Sequence, residues 1–323
     1  MRGVGAALLG LVALLAIGAP VVAPNPPATV FRDLSFAPPS GIYVFDESGS
    51  ITAPYTCPQR LVSRLERRYE DDRSRPLPLQ WFRHGRIVGV DESQGAPLLL
   101  LGADSAGRDI FARLLYGART SLALAAAATL GALLIGVVLG GVAGYTGGLT
   151  DEVLSRLSDF VLVLPAIYVV LALRAVLPLV LPDATVFALM TGILALVGWP
   201  FVARGVRAIV ASERASEYAQ AARALGAGHA RMVARHLLPA TGGFLAVQAT
   251  LLLPSFILAE ATMSYVGLGF SDRTATWGTM LLDAANVSLL GDVPWALAPA
   301  GAIFVVVLAV NLIVQAPLPR LRA

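Results

Sequence analysis

Residues 118–145 read ARTSLALAAAATLGALLIGVVLGGVAGY. Past Arg119 the run holds no charged side chain. It exceeds the roughly 20 apolar residues that a helix needs to cross the hydrocarbon core of a bilayer. In that core the backbone has no water to bond to, so a spanning segment closes its hydrogen bonds within a helix. Gly136, Gly140, Gly144 and Gly148 stand four apart and so share one helical face. Small residues there let two helix backbones approach closely; loose glycine usage in an Ala-rich and Gly-rich chain is the alternative. The stretch predicts a packed transmembrane helix.

Working outward, five more stretches qualify or nearly qualify: Val4–Ala23, Leu157–Leu177, Ala184–Val206, Gly243–Val266 and Trp295–Gln315. The expected fold class is an all-α integral membrane protein of about six transmembrane helices. Composition agrees, with 56% apolar and only 14% charged residues, where a soluble domain carries about 25% charged. The first stretch has a rival interpretation. Arg2, the apolar run and the small residues of Gly18–Ala23 also resemble a secretory signal peptide. Either way the residues that follow are exported.

All 24 basic residues are Arg, and the chain contains no Lys. A Walker A loop places a Lys on the β- and γ-phosphates, so ATP binding in that form is expected on another polypeptide. Cys57 is the only cysteine, which leaves no intrachain disulfide to propose. His84, His229 and His236 lack metal-ligand spacing, and no basic and aromatic interleaving points to nucleic acid. No cofactor or metal is expected.

Residues 24–117 form the long polar region, a small extracytoplasmic insert leading into the second span. The sequence predicts a helix near Pro58–Asp71 and strands around Ile42–Phe45 and Gln80–Val90. Orientation follows from Arg in the short loops, which favours the cytoplasmic side. Segment 207–239 holds Arg207, Arg214, Arg223, Arg231 and Arg235, and the tail 317–323 holds Arg320 and Arg322. Asp183 marks the opposite side, as do Asp272, Asp283 and Asp292 against a single Arg273. Both termini are therefore expected in the cytoplasm. Arg108, Arg113 and Arg119 fall on the wrong side for this rule.

Segment 207–239 carries the most specific pattern. Glu217-Tyr-Ala-Gln-Ala-Ala-Arg-Ala-Leu-Gly226 is a short helix former ending at Gly, the usual residue just past a helix C-terminus. A second helical stretch, His229–Leu238, is expected to stop at Pro239. Two short helices joined by a Gly elbow make a knob suited to a groove on another protein. The segment resembles the EAA loop of binding-protein-dependent ABC importers, E-A-A-x3-G-x9-I-x-L-P. Here it reads Gln220-Ala221-Ala222, three residues, Gly226, nine residues, then His236-Leu237-Leu238-Pro239. Gln220 stands where Glu is usual and His236 where Ile is usual. An ordinary basic loop would not be expected to reproduce this spacing.

Flanking segments are similar to the second permease of the dipeptide, oligopeptide and nickel branch. Ahead of the second span come Asp104-Ser-Ala-Gly107-Arg108-Asp109 and Arg113-Leu-Leu-Tyr116-Gly117-Ala-Arg119-Thr-Ser121-Leu. Beyond the loop come Ile257-Leu-Ala-Glu260-Ala-Thr-Met-Ser264-Tyr-Val-Gly267-Leu-Gly269 and Thr276-Trp277-Gly278. The resemblance covers roughly residues 100–312, and the insert is longer than the branch leads one to expect.

The resemblance implies a MetI-like permease core, residues 118–316, in a bacterial inner membrane. It implies a homologous permease partner, two ABC ATPase subunits and an extracytoplasmic solute-binding protein, with no enzymatic activity in this chain. Glu217, Gln220, Ala221, Ala222, Gly226, His236, Leu238 and Pro239 would form the ATPase-coupling loop. Peptide is the expected solute, with nickel chelates or other small solutes as the alternative. Ionisable residues inside spans are costly and face a cavity or a partner; Asp159, Arg174 and Glu260 are the candidates. For Glu260 a structural role or a place on the solute pathway stays open. Pro165, Pro200 and Pro254 are expected to bend their spans. An ion-coupled secondary transporter would use inverted repeats, and none is evident. An intramembrane hydrolase would want Ser–His or paired Asp within spans, and no His lies in a span.

Overall fold

The computed structural model describes residues 1–45, 50–63, 66–83, 85–91, 96–165, 168–169, 171–172 and 181–314. The chain divides into two compact units, Met1–Leu122 with Ser264–Ala323, and Ala123–Met263.

The first unit begins with α1 (Arg2–Ile17), which stops at Gly18 and resumes as the single turn α2 (Ala19–Val22). Pro20 has no N–H to return to the Ala16 carbonyl, so the break falls there. Helix α1 packs along the last helix of the chain, Ala298–Val314. The approach is close at Gly5, where a Cβ would stand 2.5 Å from the Ala309 carbonyl oxygen. The beginning of α1 thus lies beside the end of the last helix. Ala19 and Ala23 pack against Ala112 and Leu115.

The insert is built of strands. They are β1 (Ile42–Phe45), β2 (Ile51–Thr56), β3 (Gln59–Ser63), β4 (Arg68–Asp71), β5 (Leu77–Pro78), β6 (Gln80–Arg83) and β7 (Arg86–Gly89). They form three small antiparallel sheets, β1-β2-β5, β3-β4 and β6-β7. Strands stand where expected at Ile42–Phe45 and within Gln80–Val90. The helix expected near Pro58–Asp71 is instead the β3–β4 hairpin. The burial has the two-residue period of a strand: Gln59, Leu61 and Ser63 are half-buried while Arg60 and Val62 are exposed. Arg67 turns the chain with φ +48°, which no helix accommodates. Tyr69 packs on the insert's core of Leu34, Ala37, Leu99 and Ala103, and its hydroxyl donates to the Ser35 carbonyl at 2.6 Å.

Helix α3 (Ile110–Thr146) starts in the first unit and continues into the second. There it is followed by α4 (Gly148–Val163), α5 (Asp183–Arg214), α6 (Glu217–Ala224), α7 (His229–Arg231) and α8 (Gly242–Tyr265). The first unit closes with α9 (Trp277–Ala284), α10 (Val287–Leu290) and α11 (Ala298–Val314). Four helical stretches of the described residues are long and apolar enough to cross a membrane: Ile110–Thr146, Asp183–Arg214, His229–Tyr265 and Pro294–Val314. Gly3–Ile17 is a shorter apolar helix; with α2 it reaches about 30 Å at 1.5 Å per residue. Of the expected third span, Leu157–Leu177, residues 166–167, 170 and 173–177 lie outside the described residues, Arg174 among them, as does the tail 317–323; α4 holds the span's first part.

The core of the second unit is a backbone-to-backbone contact between α3 and α5. A Cβ on Gly136 would lie 2.5 Å from Val202 Cβ, one on Gly140 2.4 Å from the Ala203 carbonyl oxygen, and one on Gly144 2.5 Å from the Arg207 carbonyl oxygen. Gly136, Gly140 and Gly144 therefore let the two helices run side by side, and the register rises along both, so they run in the same direction. Gly148 does not join this face. With Gly147 it makes the left-handed turn out of α3, with φ of +68° and +59°, and no atom lies within 4 Å of where its Cβ would be. Gly198 carries a further close approach, to the Phe256 ring of α8. Pro200 lies inside α5 and Pro254 inside α8, while Pro165 follows the end of α4.

Candidate functional site

Helix α6 follows α5 after Ala215 and Ser216. Glu217 in its first turn and Arg223 in its last complement the helix dipole. Ala219 is fully buried and anchors the helix, while Glu217, Gln220 and Ala221 are exposed. Two bonds close its end: the Gly226 N–H donates to the Arg223 carbonyl at 2.9 Å, and the Ala227 N–H to the Ala222 carbonyl at 3.0 Å. This is a Schellman turn, which requires the left-handed conformation of Gly226, φ +86°. Beside it Leu225 is 89% exposed, a large apolar side chain offered to solvent.

Gln220 replaces the acid usual in the resembling loop. Its amide donates to the Ala215 carbonyl at 3.0 Å, a bond that a carboxylate could not make. The neighbouring Tyr218 hydroxyl donates to Glu213 at 2.7 Å.

The second arm departs from expectation. It does not stop at Pro239. From α7 it continues as a π turn, Met232–Leu237, then a 3-10 turn, Leu238–Thr241, and passes into α8. Proline lacks an N–H for the carbonyl four residues back, and the widened and tightened turns around it absorb that loss. Met232 and Leu237 are buried, His236 and Leu238 half-buried, and Pro239 exposed.

Tyr145, near the end of α3, holds the two arms at the root. Its hydroxyl lies 2.6 Å from His229 Nδ1. The guanidinium carbons of Arg223 and Arg214 stand 5.5 and 5.8 Å from its ring centroid, within cation–π range. Arg214 Nη1 also donates to the Tyr145 carbonyl at 2.6 Å. The ends of α3, α5 and α6 and the start of α7 thus meet on one aromatic ring. Sequence reasoning missed Tyr145; its place two residues before the Gly147-Gly148 break was the available signal.

The other candidates lie apart from this knob. Glu260 is fully buried on α8. Asp159 of α4 pairs with Arg204 of α5, and Asp151 with Arg207, whose Nη2 lies 2.6 Å from Asp151 Oδ2. Arg207 belongs to α5, so it sits in a helix rather than in a loop. Hydrogen bonding to Arg207 holds the Asp151 carboxyl below its ordinary value. Among the described residues no group of three or more His, Cys, Asp or Glu is placed to hold a metal.

The first unit holds an ionic cluster at the entrance to α3. Asp104 Oδ1 accepts from the N–H groups of Ala106 (3.0 Å) and Arg108 (2.8 Å), and Oδ2 from Arg108 Nε at 2.7 Å. Arg108 reaches on to Asp272, with Nη1 on the backbone oxygen at 2.7 Å and Nη2 on the carboxylate at 2.9 Å. Arg113, 1% exposed, stands 3.4 Å from Asp104 and donates from Nη2 to the Asp272 carbonyl at 3.1 Å. Burial pushes the Asp104 pKa up against the pull of Arg108 and Arg113. Both Arg108 and Arg113 are paired with carboxylates and packed, so neither acts as a free loop charge.

Asp109 caps α3, Oδ1 accepting from the N–H of Phe111 at 2.8 Å, while Asn25 donates to Oδ2 at 2.8 Å. Burial raises its pKa to about 6, with Asn25 and the helix N–H groups opposing. A folded-state value above the ordinary carboxylate range favours the protonated fold. That contribution is full at low pH and is lost as pH rises through about 6.

This is the architecture of a helical membrane transport subunit, and the similarities agree. The model of the family described as binding-protein-dependent transport system inner membrane component matches residues 136–323. The chain belongs to that family and is a multi-pass inner-membrane protein. It is 38% identical over 213 residues to the oligopeptide transport system permease protein OppC of Bacillus subtilis, covering 66% of this chain and 67% of the relative. Identity to the dipeptide transport system permease protein DppC of Alkalihalophilus pseudofirmus is also 38%, over the same shares. A putative peptide permease protein of Brucella ovis is 35% identical, covering 66% of this chain and 68% of the relative.

Proposed function

We propose that this chain is one permease subunit of an ATP-driven importer of dipeptides or oligopeptides. It would form the translocation path with a second, homologous permease. An extracytoplasmic protein would deliver the peptide, and two separate ATPase subunits would supply the energy. The observation that carries this is the two-armed knob of residues 217–239: a helix closed by Gly226, an exposed Leu225, and a second arm continuous with the membrane-crossing α8. Such a lever suits a partner whose nucleotide-dependent motion must reach the spans, a population shift between outward and inward access. Peptide as solute rests on the relatives.

In this account the knob faces the cytoplasm, where Arg214, Arg223, Arg231 and Arg235 obey the loop-charge rule. Close packing of Gly5 beside Ala309 supports placing both chain ends on one side. Reporter fusions after Val90 should show the exported side and fusions after Gly226 the cytoplasm. The membrane-extracted chain should co-purify with two ATPase subunits. Exported activity from the Gly226 fusion would overturn the assignment of the knob.

A further inference from the structure

The insert lies outside the residues matched by the family model, and it contains a cavity of about 840 Å³. That is within the usual 300–1,000 Å³ of ligand pockets. Gln59, Arg60, Leu61 and Val62 all line it. Successive side chains of a strand point to opposite faces. Arg67 and Tyr69, the latter paired with Leu61, line it too, so the cavity takes in the Leu61–Tyr69 face of the hairpin and reaches the outer edge of β3. That edge is open: among the described strands β3 pairs only with β4. An unpaired strand edge is a template for another extended chain.

The charge on this groove is one-sided. Arg32, Arg60 and Arg67 line it against a single Asp33. Arg32 and Arg60 are exposed and make no ion pair among the described residues, while Arg67 stands 3.9 Å from Asp292 and lies over the Phe36 ring, 5.2 Å from its centroid. Phe36 and Tyr69 complete an apolar wall.

We infer that this groove is a binding site for a short extended peptide bearing carboxylates. The peptide backbone pairs with the open edge of β3, and its carboxylates are held by Arg32 and Arg60. The site would retain acidic peptide at the exported face. This rests on the peptide-import reading for its biological sense, while its binding chemistry can be tested without transport.

The experiment uses the full chain in detergent micelles, without ATPase subunits, and fluorescence anisotropy of a dye-labelled acidic tetrapeptide with a free C-terminal carboxylate. Saturable binding is expected. The double substitution Arg32→Glu and Arg60→Glu should weaken it at least about tenfold, the loss of two charge-assisted contacts. Backbone N-methylation of the peptide, which removes strand pairing, should weaken it comparably. Both arginines are exposed, so the double variant should keep the wild-type melting temperature. Absence of saturable binding, an unchanged affinity in the double variant, or indifference to N-methylation would each overturn the site. Capture of an extracytoplasmic binding protein by the groove without free-peptide binding would do so too. None of these outcomes touches ATPase co-purification, which tests the transport reading separately.

Discussion

Replacing Gly226 by Val is expected to leave the chain in the membrane at normal abundance and to abolish ATP-driven uptake. Gly226 has φ +86°, and no atom lies within 4 Å of an added Cβ. Space is available, so the cost is conformational. A β-branched residue held in a left-handed conformation costs about 1–3 kcal/mol. Escape from that strain breaks the bonds from Gly226 to Arg223 and from Ala227 to Ala222. The path between α6 and α7 then changes, while the packing of α3 on α5, which Gly226 does not touch, persists. At a docking contact 1–3 kcal/mol is roughly a 5- to 150-fold loss of association. Co-purified ATPase subunits should fall together with uptake. Gly226→Asn is the control, because Asn tolerates the left-handed region, and it should retain most of both. Normal assembly and uptake in Gly226→Val would remove the coupling role from this elbow.

Asp104→Ala is expected to act in the opposite way, on the fold itself. The Asp104 and Arg108 side chains are 7% and 6% exposed, and Arg113 is 1% exposed. Removing the carboxylate leaves two buried guanidiniums facing one another and frees the N–H groups of Ala106 and Arg108. Breaking a buried pair by deleting one partner costs about 3–5 kcal/mol. The variant should accumulate poorly and melt well below the wild type in detergent. Asp272→Ala should cost less, since its side chain is 56% exposed and its backbone oxygen still accepts from Arg108. Equal melting of Asp104→Ala and wild type would show that the cluster does not hold the entrance to α3.

These two positions also mark how far the sequence could be read. Four of the expected spans were legible because a bilayer imposes length and apolarity on a crossing helix, as in residues 118–145. Gly136, Gly140 and Gly144 were legible as a face because four-residue spacing is local geometry. Gly148 broke the pattern because a helix end is set by the turn that follows it. Gly226 was legible as a helix stop for the same local reason. The β3–β4 hairpin was not: Arg60–Asp71 carries charge at helical spacing, and only the contact of Tyr69 with Ser35 and the core beneath it selects the strand. Nor could the continuation past Pro239 be read, because the π turn that accommodates the proline depends on burying Met232 and Leu237. The roles of Asp104, Arg108 and Asp109 were present as a motif without a mechanism. Asp272, the partner of Arg108, lies 164 residues away, and Asn25, the partner of Asp109, 84 residues away, and no spacing rule reaches that far. Tyr145 is of the same kind, since its ring gathers residues from three other helices.

In the proposed function this chain passes peptide through the membrane on energy delivered by other subunits through the 217–239 knob. The most direct test is uptake of a labelled oligopeptide into proteoliposomes holding the chain with its co-purified permease and ATPase subunits, the extracytoplasmic binding protein supplied on the outer side and ATP sealed inside. Uptake that needs ATP and every subunit, and that disappears with Gly226→Val, is the expected result. Peptide uptake by the chain alone, indifferent to ATP, would contradict the account.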